Sequence, residues 1–316
     1  MTPKATAKDT ILRRGRALAS LRGQLAEQGF IEVTTPVLLA VRSDGPTPRH
    51  PFKIGAREFD LRHSIELLLR TALAAAPRIY DIGPAVRFED AGKAPRSAVE
   101  FTLMELYATD LDYSQLMKLA EDLIRATAMS PLPPCTKINV AEWFETELKV
   151  NFGRHDETEI SERIAKFLGP SSVHAPLWAL INSCIERFLE PQLTGFCFLY
   201  DYPMQTVCLA RRSPNAPSVI ERFETFIDGV EVGHGFVDAS DPLDVLARMK
   251  QSGPEFVDMP FIARLEAGEL PPSSGFGIGI ERLLAATDEK NKDVCAFLHE
   301  YQHGVIATEG CTRSAS

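Results

Sequence analysis

Residues 99–108 alternate so that two sets of side chains fall on opposite faces of one strand. Phe101, Leu103, Glu105 and Tyr107 share one face, and Thr102, Met104, Leu106 and Ala108 share the other. The second face is mostly apolar and suits packing under helices. The first sets an aromatic ring, a carboxylate and a phenol side by side. Arg87 ends the preceding strand, with Glu89 just beyond it. A guanidinium beside an aromatic platform suits a triphosphate and a purine: the fork binds phosphate, the ring binds base. A hairpin with one solvated polar face is the plainer reading of the same residues.

A second cluster lies in residues 221–238. Asp228-Gly229 between two alternating runs predicts a two-residue hairpin turn. That turn pairs Ile227 with Val230 and Phe226 with Glu231, and puts Glu224 on the face of Glu231, one diagonal step away. Hard carboxylate oxygens suit Mg²⁺, which takes one or two carboxylates plus substrate phosphates. Arg222 on the same face offers the alternative, a neutralised surface cluster. In this register His234, Phe236 and Asp238 fall on the other face. Gly233 and Gly235 flank His234, so a bulge there would re-aim these side chains.

Residues 275–282 alternate glycine with apolar residues and end at Arg282. As a strand this leaves one face of bare backbone, at Gly275, Gly277 and Gly279, against which a flat ligand can lie. The spacing is not the dinucleotide fingerprint, which opens a βαβ unit. The alternative is a strand packed closely by a neighbour. His299-Glu300-Tyr301-Gln302-His303 matches the zinc-protease pattern. A zincin needs a third ligand, and Glu309 is the only candidate left downstream. An exposed helix end is the better reading.

Several elements must position these residues. Helical spacing of Ile11, Leu18, Leu21 and Leu25 predicts a helix over 11–28, capped by Asp9-Thr10 and stopped by Gly29. A short strand over 30–33 leads to Pro36, and 42–50 is a loop by its Gly and Pro content. Residues 65–75 read as helix, 79–88 and 99–108 as two strands around a polar loop, and 114–129 as an amphipathic helix. Residues 130–134 form a rigid proline connector. Residues 157–189 are mainly helical, strands return from 196 to 236, and helix follows the glycine run. Strands and helices without β-α-β alternation favour an antiparallel sheet flanked by helices, an α+β fold.

Composition bounds the class. The chain has 316 residues, enough for one large or two modest domains. With 45% hydrophobic and 24% charged residues, it is neither disordered nor collagen-like. No stretch approaches about 20 apolar residues, so no membrane span or membrane partner is expected. The polar, basic start lacks an apolar signal segment. Six cysteines (135, 184, 197, 208, 295, 311) without a CxxC pair predict reduced thiols in a cytoplasmic protein. A net charge of −9 argues against a dedicated nucleic-acid binder.

In order, residues 29–36 (GFIEVTTP), 86–90 with 99–107 (VRFED…VEFTLMELY) and 275–283 (GFGIGIERL) resemble motifs 1, 2 and 3 of the class II aminoacyl-tRNA synthetases. Residues 100–107 and 209–231 resemble the lysyl-tRNA synthetase branch. The resemblance runs from about residue 10 to 300 and is weak over 135–195, a partly helical insertion. It implies one catalytic domain over 1–316 and a homodimer with Pro36 at its interface. Arg87 is expected to hold the α-phosphate and the amino-acid carboxylate, with Glu89 beside ATP and Gly279 in the same site. Phe101 is expected to stack on adenine, with Arg282 on its other side and near the γ-phosphate. Glu224 and Glu231 are expected to bind Mg²⁺. Glu66, in HSIELLLR, is expected to contact the substrate amino group, and Glu105 and Tyr107 the ε-ammonium of a lysine. Gly277, His234, Phe236 and Asp238 complete the amino-acid pocket.

The chain departs from the family in three places. Its motif 2 loop offers Lys93 and Arg96 instead of a histidine, His234 replaces an asparagine, and Asp238 replaces a glutamate. The room before the first motif predicts no anticodon-binding domain, hence no stable tRNA binding. That architecture is similar to the stand-alone ligases that activate (R)-β-lysine for elongation factor P. The expected activity is ATP-dependent adenylation of a lysine-like or β-lysine-like amino acid and transfer to a protein lysine. The alternatives are transfer to a small amine or carrier, or a non-catalytic regulator.

Overall fold

A computed structural model describes residues 7–39, 51–87, 100–169, 175–207, 209–253 and 257–288. The described part opens with α1 (Ala7–Glu27), β1 (Ile31–Glu32), β2 (Leu38–Leu39), β3 (Phe52–Ile54), β4 (Arg57–Leu61) and α2 (Glu66–Ala72). Then come β5 (Arg78–Val86), β6 (Glu100–Ala108), α3 (Tyr113–Thr127), β7 (Thr136–Asn139), α4 (Val140–Leu148) and α5 (Glu157–Leu168). α6 (Leu177–Cys184) runs into a π-helical turn, Ile185–Leu189, before β8 (Phe196–Pro203), β9 (Val219–Ile227) and β10 (Val230–Val237). The described part ends with α7 (Pro242–Ser252), α8 (Met259–Glu266), β11 (Ser274–Gly279) and α9 (Ile280–Thr287).

Among these residues, eight strands form one sheet in the order β1-β5-β6-β11-β10-β9-β8-β7. The outer pairs β1/β5 and β7/β8 are parallel, and the pairs between them are antiparallel. The fold is α+β, as the sequence predicts. One sheet face carries Met104, Leu106, Phe223, Phe276 and Ile278 against Leu21 and Leu25 of α1, Leu116 and Leu123 of α3 and Leu283 of α9. Burial at full-side-chain scale is worth about 1.5–3 kcal/mol per residue, so this layer contributes heavily to the molecule's stability. On the opposite face, α2 with Leu103 and Tyr107 makes one apolar cluster. The helices α4 to α6 with Phe226 and Phe236 make another. The polar side chains of the sheet face lie between those two clusters.

Local chemistry explains most of the element ends. Gly29 stops α1 with φ 77°, a left-handed value that suits glycine. α1 begins at Ala7, so Asp9 sits in its first turn and does not cap it as expected. Asp112 and Gln115 form a capping box at α3, and Asp156 and Glu159 form one at α5. Asp228 and Gly229 have φ 47° and 74°, the paired positive values of a type I′ turn. The loop over 42–50, residues 88–99 and the His299–His303 pattern lie outside the described residues.

Candidate active site

Strand pairing assembles the site in rows. Asp81, Glu105, Gly277, His234 and Glu224 lie directly opposite one another across β5, β6, β11, β10 and β9. The next row is Ile79, Tyr107, Gly275, Phe236 and Arg222. Residues directly opposite share a face. The structure therefore corrects one expectation. The register of β9 and β10 shifts between Glu231 and Gly233, so His234 and Phe236 join the face of Glu224 instead of the opposite one. The cause is a bulge at Val232, beside glycines that let strands approach. A Cβ on Gly233 would lie 2.4 Å from the Gly277 carbonyl oxygen. Glu231 stays on that face as predicted, opposite Phe226.

The glycine strand is less bare than its sequence suggests. A Cβ on Gly275 would lie 2.3 Å from Cζ of Tyr107, and one on Gly277 would lie 3.2 Å from Cγ of Glu105. The Tyr107 ring, not an open face, occupies the space over Gly275. Only the Gly279 end stays open, where the nearest atoms belong to Arg282 at 3.9 Å.

Arg87 follows β5, and its Nε donates to the His63 carbonyl at 3.0 Å. Its guanidinium carbon lies 5.3 Å from the Phe101 ring centroid, so cation and platform meet as the sequence predicts. Glu89 lies outside the described residues.

Glu105 is buried and accepts from the Ile65 amide at 2.6 Å and from Ser64 Oγ at 3.1 Å. It thereby satisfies a free amide at the start of α2, whose own N-cap side chain makes no such bond. Burial raises its pKa, opposed by the Ile65 bond and the charge of Arg87. Asp81, directly opposite, is neutralised by buried Arg62 at 3.0 Å. Arg62 also donates to the Pro84 carbonyl at 2.7 Å and the Thr35 carbonyl at 3.0 Å, which anchors the chain before Pro36.

The two carboxylates expected to bind Mg²⁺ carry arginine partners. Arg222 Nη2 bonds Glu224 Oε1, and Tyr202 Oη donates to Glu224 Oε2 at 2.5 Å. Arg282 Nη1 lies 3.2 Å from Glu231 Oε2. Burial raises the pKa of Glu231, and the charge of Glu224 adds to the rise. Glu190, just past the π-helical turn, is pushed up to about 7 by burial and by Glu224, Glu186 and Glu231. A divalent cation would ease the mutual repulsion of these carboxylates. Among the described residues no group of three or more His, Cys, Asp or Glu is arranged to hold one by itself. That donor set suits Mg²⁺ shared with substrate phosphates, to which two carboxylates are the usual protein contribution.

His234 lies with Nδ1 3.9 Å from Glu231 Oε1. Burial and then the Arg222 charge lower its pKa to about 4, so it is neutral at pH 7. Asp238 is buried, and the sequence reading missed both of its partners, Arg70 at 3.1 Å and Ser273 Oγ at 2.5 Å. Arg70 stands four residues after Glu66, at a spacing that pairs charges on a helix, and this was the available signal. Arg62 gave no comparable local signal. A cavity of about 440 Å³ opens elsewhere, by Asn139, Glu142, Arg154 and Asp201, and holds none of the predicted site residues.

The profile of the family described as "tRNA synthetases class II (D, K and N)" matches residues 2–300. The chain is 32% identical to the lysine–tRNA ligase of Burkholderia multivorans, over 95% of this chain and 65% of that protein. It is equally identical to the lysine–tRNA ligases of Paraburkholderia phymatum, over 93% and 64%, and Ralstonia nicotianae, over 92% and 64%. The chain thus spans about 65% of the length of the curated relatives it matches. A mostly antiparallel sheet, an arginine on an aromatic platform, and a family match over residues 2–300 agree: this chain belongs to the class II tRNA synthetases.

Proposed function

We propose that the protein is an ATP-dependent, AMP-forming ligase that activates a lysine-like or β-lysine-like amino acid and passes it to an amine. The observation that carries this reading is the row Glu105, Gly277, His234, Glu224, with Arg87 on Phe101 at one end and Arg282 on Glu231 at the other. An amino-acid carboxylate oxygen attacks the α-phosphorus of ATP, the bond to the β-phosphate oxygen breaks, and pyrophosphate leaves. Arg87 and Arg282 offset the charge that develops on the phosphates, which needs no protein nucleophile. Held by Glu224 and Glu231, Mg²⁺ would neutralise phosphate charge. Neutral His234 adds no charge beside the α-amino group. Glu66 and Glu105 supply negative charge for a cationic amino acid. In the second half-reaction the acceptor nitrogen bonds the acyl carbon, the acyl–phosphate C–O bond breaks, and AMP leaves.

We assign the acceptor as a protein lysine of the elongation factor P kind. The chain's net charge of −9 supports this, since affinity for tRNA is driven by phosphate neutralisation. Transfer to the 3′ end of tRNA is the second reading, favoured by relatives named lysine–tRNA ligase. Incubation with ATP, Mg²⁺ and labelled lysine or β-lysine, with purified tRNA and elongation factor P in separate reactions, separates the two. Label on the protein lysine is expected; efficient charging of tRNA with an unlabelled factor would transfer the assignment to the second reading.

A further inference from the structure

The sequence reading places Asp238 in the amino-acid pocket, and the structure puts a built-in cation against it. Arg70 lies one turn along α2 from Glu66, its side chain 1% exposed, with Nη1 3.1 Å from Asp238 Oδ1 and 3.7 Å from Glu66 Oε1. Its guanidinium carbon is 5.3 Å from the ring centroid of Phe261, on α8, so α8 backs the arginine. Ser273 Oγ takes the other oxygen of Asp238. The Tyr107 hydroxyl stands in the field of Glu66, Asp238, Glu105 and Arg70 together. Around that phenol the charges therefore form an acid–base–acid row, Glu66–Arg70–Asp238, and not a pair of open carboxylates.

We infer that Arg70 sets the charge preference of the amino-acid pocket. It fills the place on Asp238 that a distal substrate ammonium needs and also pairs with Glu66, which leaves Glu105 to read substrate charge. This rests on the amino-acid-activating reading above. A second cation brought against a carboxylate that already has a buried guanidinium meets repulsion as well as attraction. An uncharged side chain of the same length meets a neutral pair. Arginine suits this position because its weakly hydrated fork tolerates burial better than an ammonium. Arg70 acts through Asp238, so it is a positioning residue that sets specificity.

The test compares lysine with norleucine, which has the same carbon chain without the ammonium. Calorimetric Kd values are measured on the full chain for the native protein, Arg70→Met, Arg70→Lys and Asp238→Asn. The ratio of Kd for norleucine to Kd for lysine is expected to rise at least tenfold in Arg70→Met and to stay near native in Arg70→Lys. In Asp238→Asn, where the guanidinium loses its partner, it is expected to fall at least tenfold. A purely structural arginine weakens both ligands together and leaves the ratio alone. An unmoved ratio in either charge-changing variant that retains native circular dichroism would overturn the inference, and each variant decides alone if the other does not fold. Pyrophosphate exchange on the same samples keeps the two readings apart. A shifting ratio without exchange sinks the ligase reading only, exchange with an unmoved ratio sinks this inference only, and a native protein that binds neither amino acid sinks both.

Discussion

Glu231 and Glu224 share one face of the sheet, and each already has an arginine partner, Arg282 or Arg222. Their partners differ in number. Glu224 is also held by Tyr202, whereas Glu231 has the more exposed of the two arginines. On the proposed reading, Glu231 is the carboxylate better placed to exchange an arginine for Mg²⁺ and phosphate. Glu231→Gln is expected to lower kcat/KM for adenylation by at least about tenfold, or ~1.4 kcal/mol of transition-state stabilisation. Full activity in that variant, with a native Mg²⁺ requirement, would move the metal elsewhere. His234 gives a second test at this scale. Its pKa lies near 4, below the usual 6.5, because burial and Arg222 disfavour the imidazolium. The unfolded chain therefore binds more protons at His234 between these values, so its contribution to stability falls as pH drops from about 6.5 towards 4. Imidazole NMR is expected to show a midpoint near 4. A midpoint at or above about 6.5 would contradict the local electrostatics.

β11 determines the geometry of the pocket. Its glycines let Tyr107 and Glu105 of β6 lie across the neighbouring strand. Gly275→Ala would drive a methyl into the Tyr107 ring, with Cζ at 2.3 Å. Overpacking of this kind costs about 1–3 kcal/mol, and relief by moving Tyr107 would disturb the pocket. A lowered denaturation midpoint together with a raised KM for the amino acid is expected, and an unchanged KM would detach β11 from the site. The alternating faces of β6, the Asp228-Gly229 turn and the shared face of Glu224 and Glu231 were all legible in the sequence, because each is a local periodic or turn signal. The bulge at Val232 was legible only as a possibility at Gly233 and Gly235. Periodicity gives no sign of where a ladder slips by one residue. The β3/β4 hairpin and α4 are short and gave no reading, and α7 and α8 were passed over although Asp241-Pro242 and Asp258 with Pro260 are helix-start signals. The buried arginines were the largest omission. Arg62 pairs with Asp81 across 19 residues and Arg70 of α2 with Asp238 just past β10; the spacing of Glu66 and Arg70 signals a charge pair within α2, but no local spacing encodes either long-range contact.

Distant parts of the molecule are tied to the motif segments by a few buried charges. Glu281, in the third motif, accepts from the Thr102 amide at 2.8 Å and pairs with Arg14 of α1 at 2.9 Å. That links the first helix to both strands of the site. Ile11 and Leu12 of α1, Ile31 of β1, Leu38 of β2 and Ile54 of β3 are large apolar side chains that remain 44–56% exposed. β1 is also a short edge strand. Exposed apolar side chains and an open edge strand favour a symmetric partner. Light scattering at micromolar concentration is expected to give a dimer, and a monomer there would rule out pairing through this surface. Among the described residues no helix is long and apolar enough to cross a membrane.

The most direct test of the central claim is ATP–pyrophosphate exchange with Mg²⁺ over a panel of α- and β-amino acids. Exchange requires adenylate formation but no acceptor, so it isolates the step assigned to Arg87, Arg282, Glu224 and Glu231. Exchange that depends on the amino acid is predicted, ranked highest for lysine-like or β-lysine-like substrates and reordered in Glu105→Gln. Absence of exchange with every amino acid in a folded, Mg²⁺-supplied protein would contradict the account.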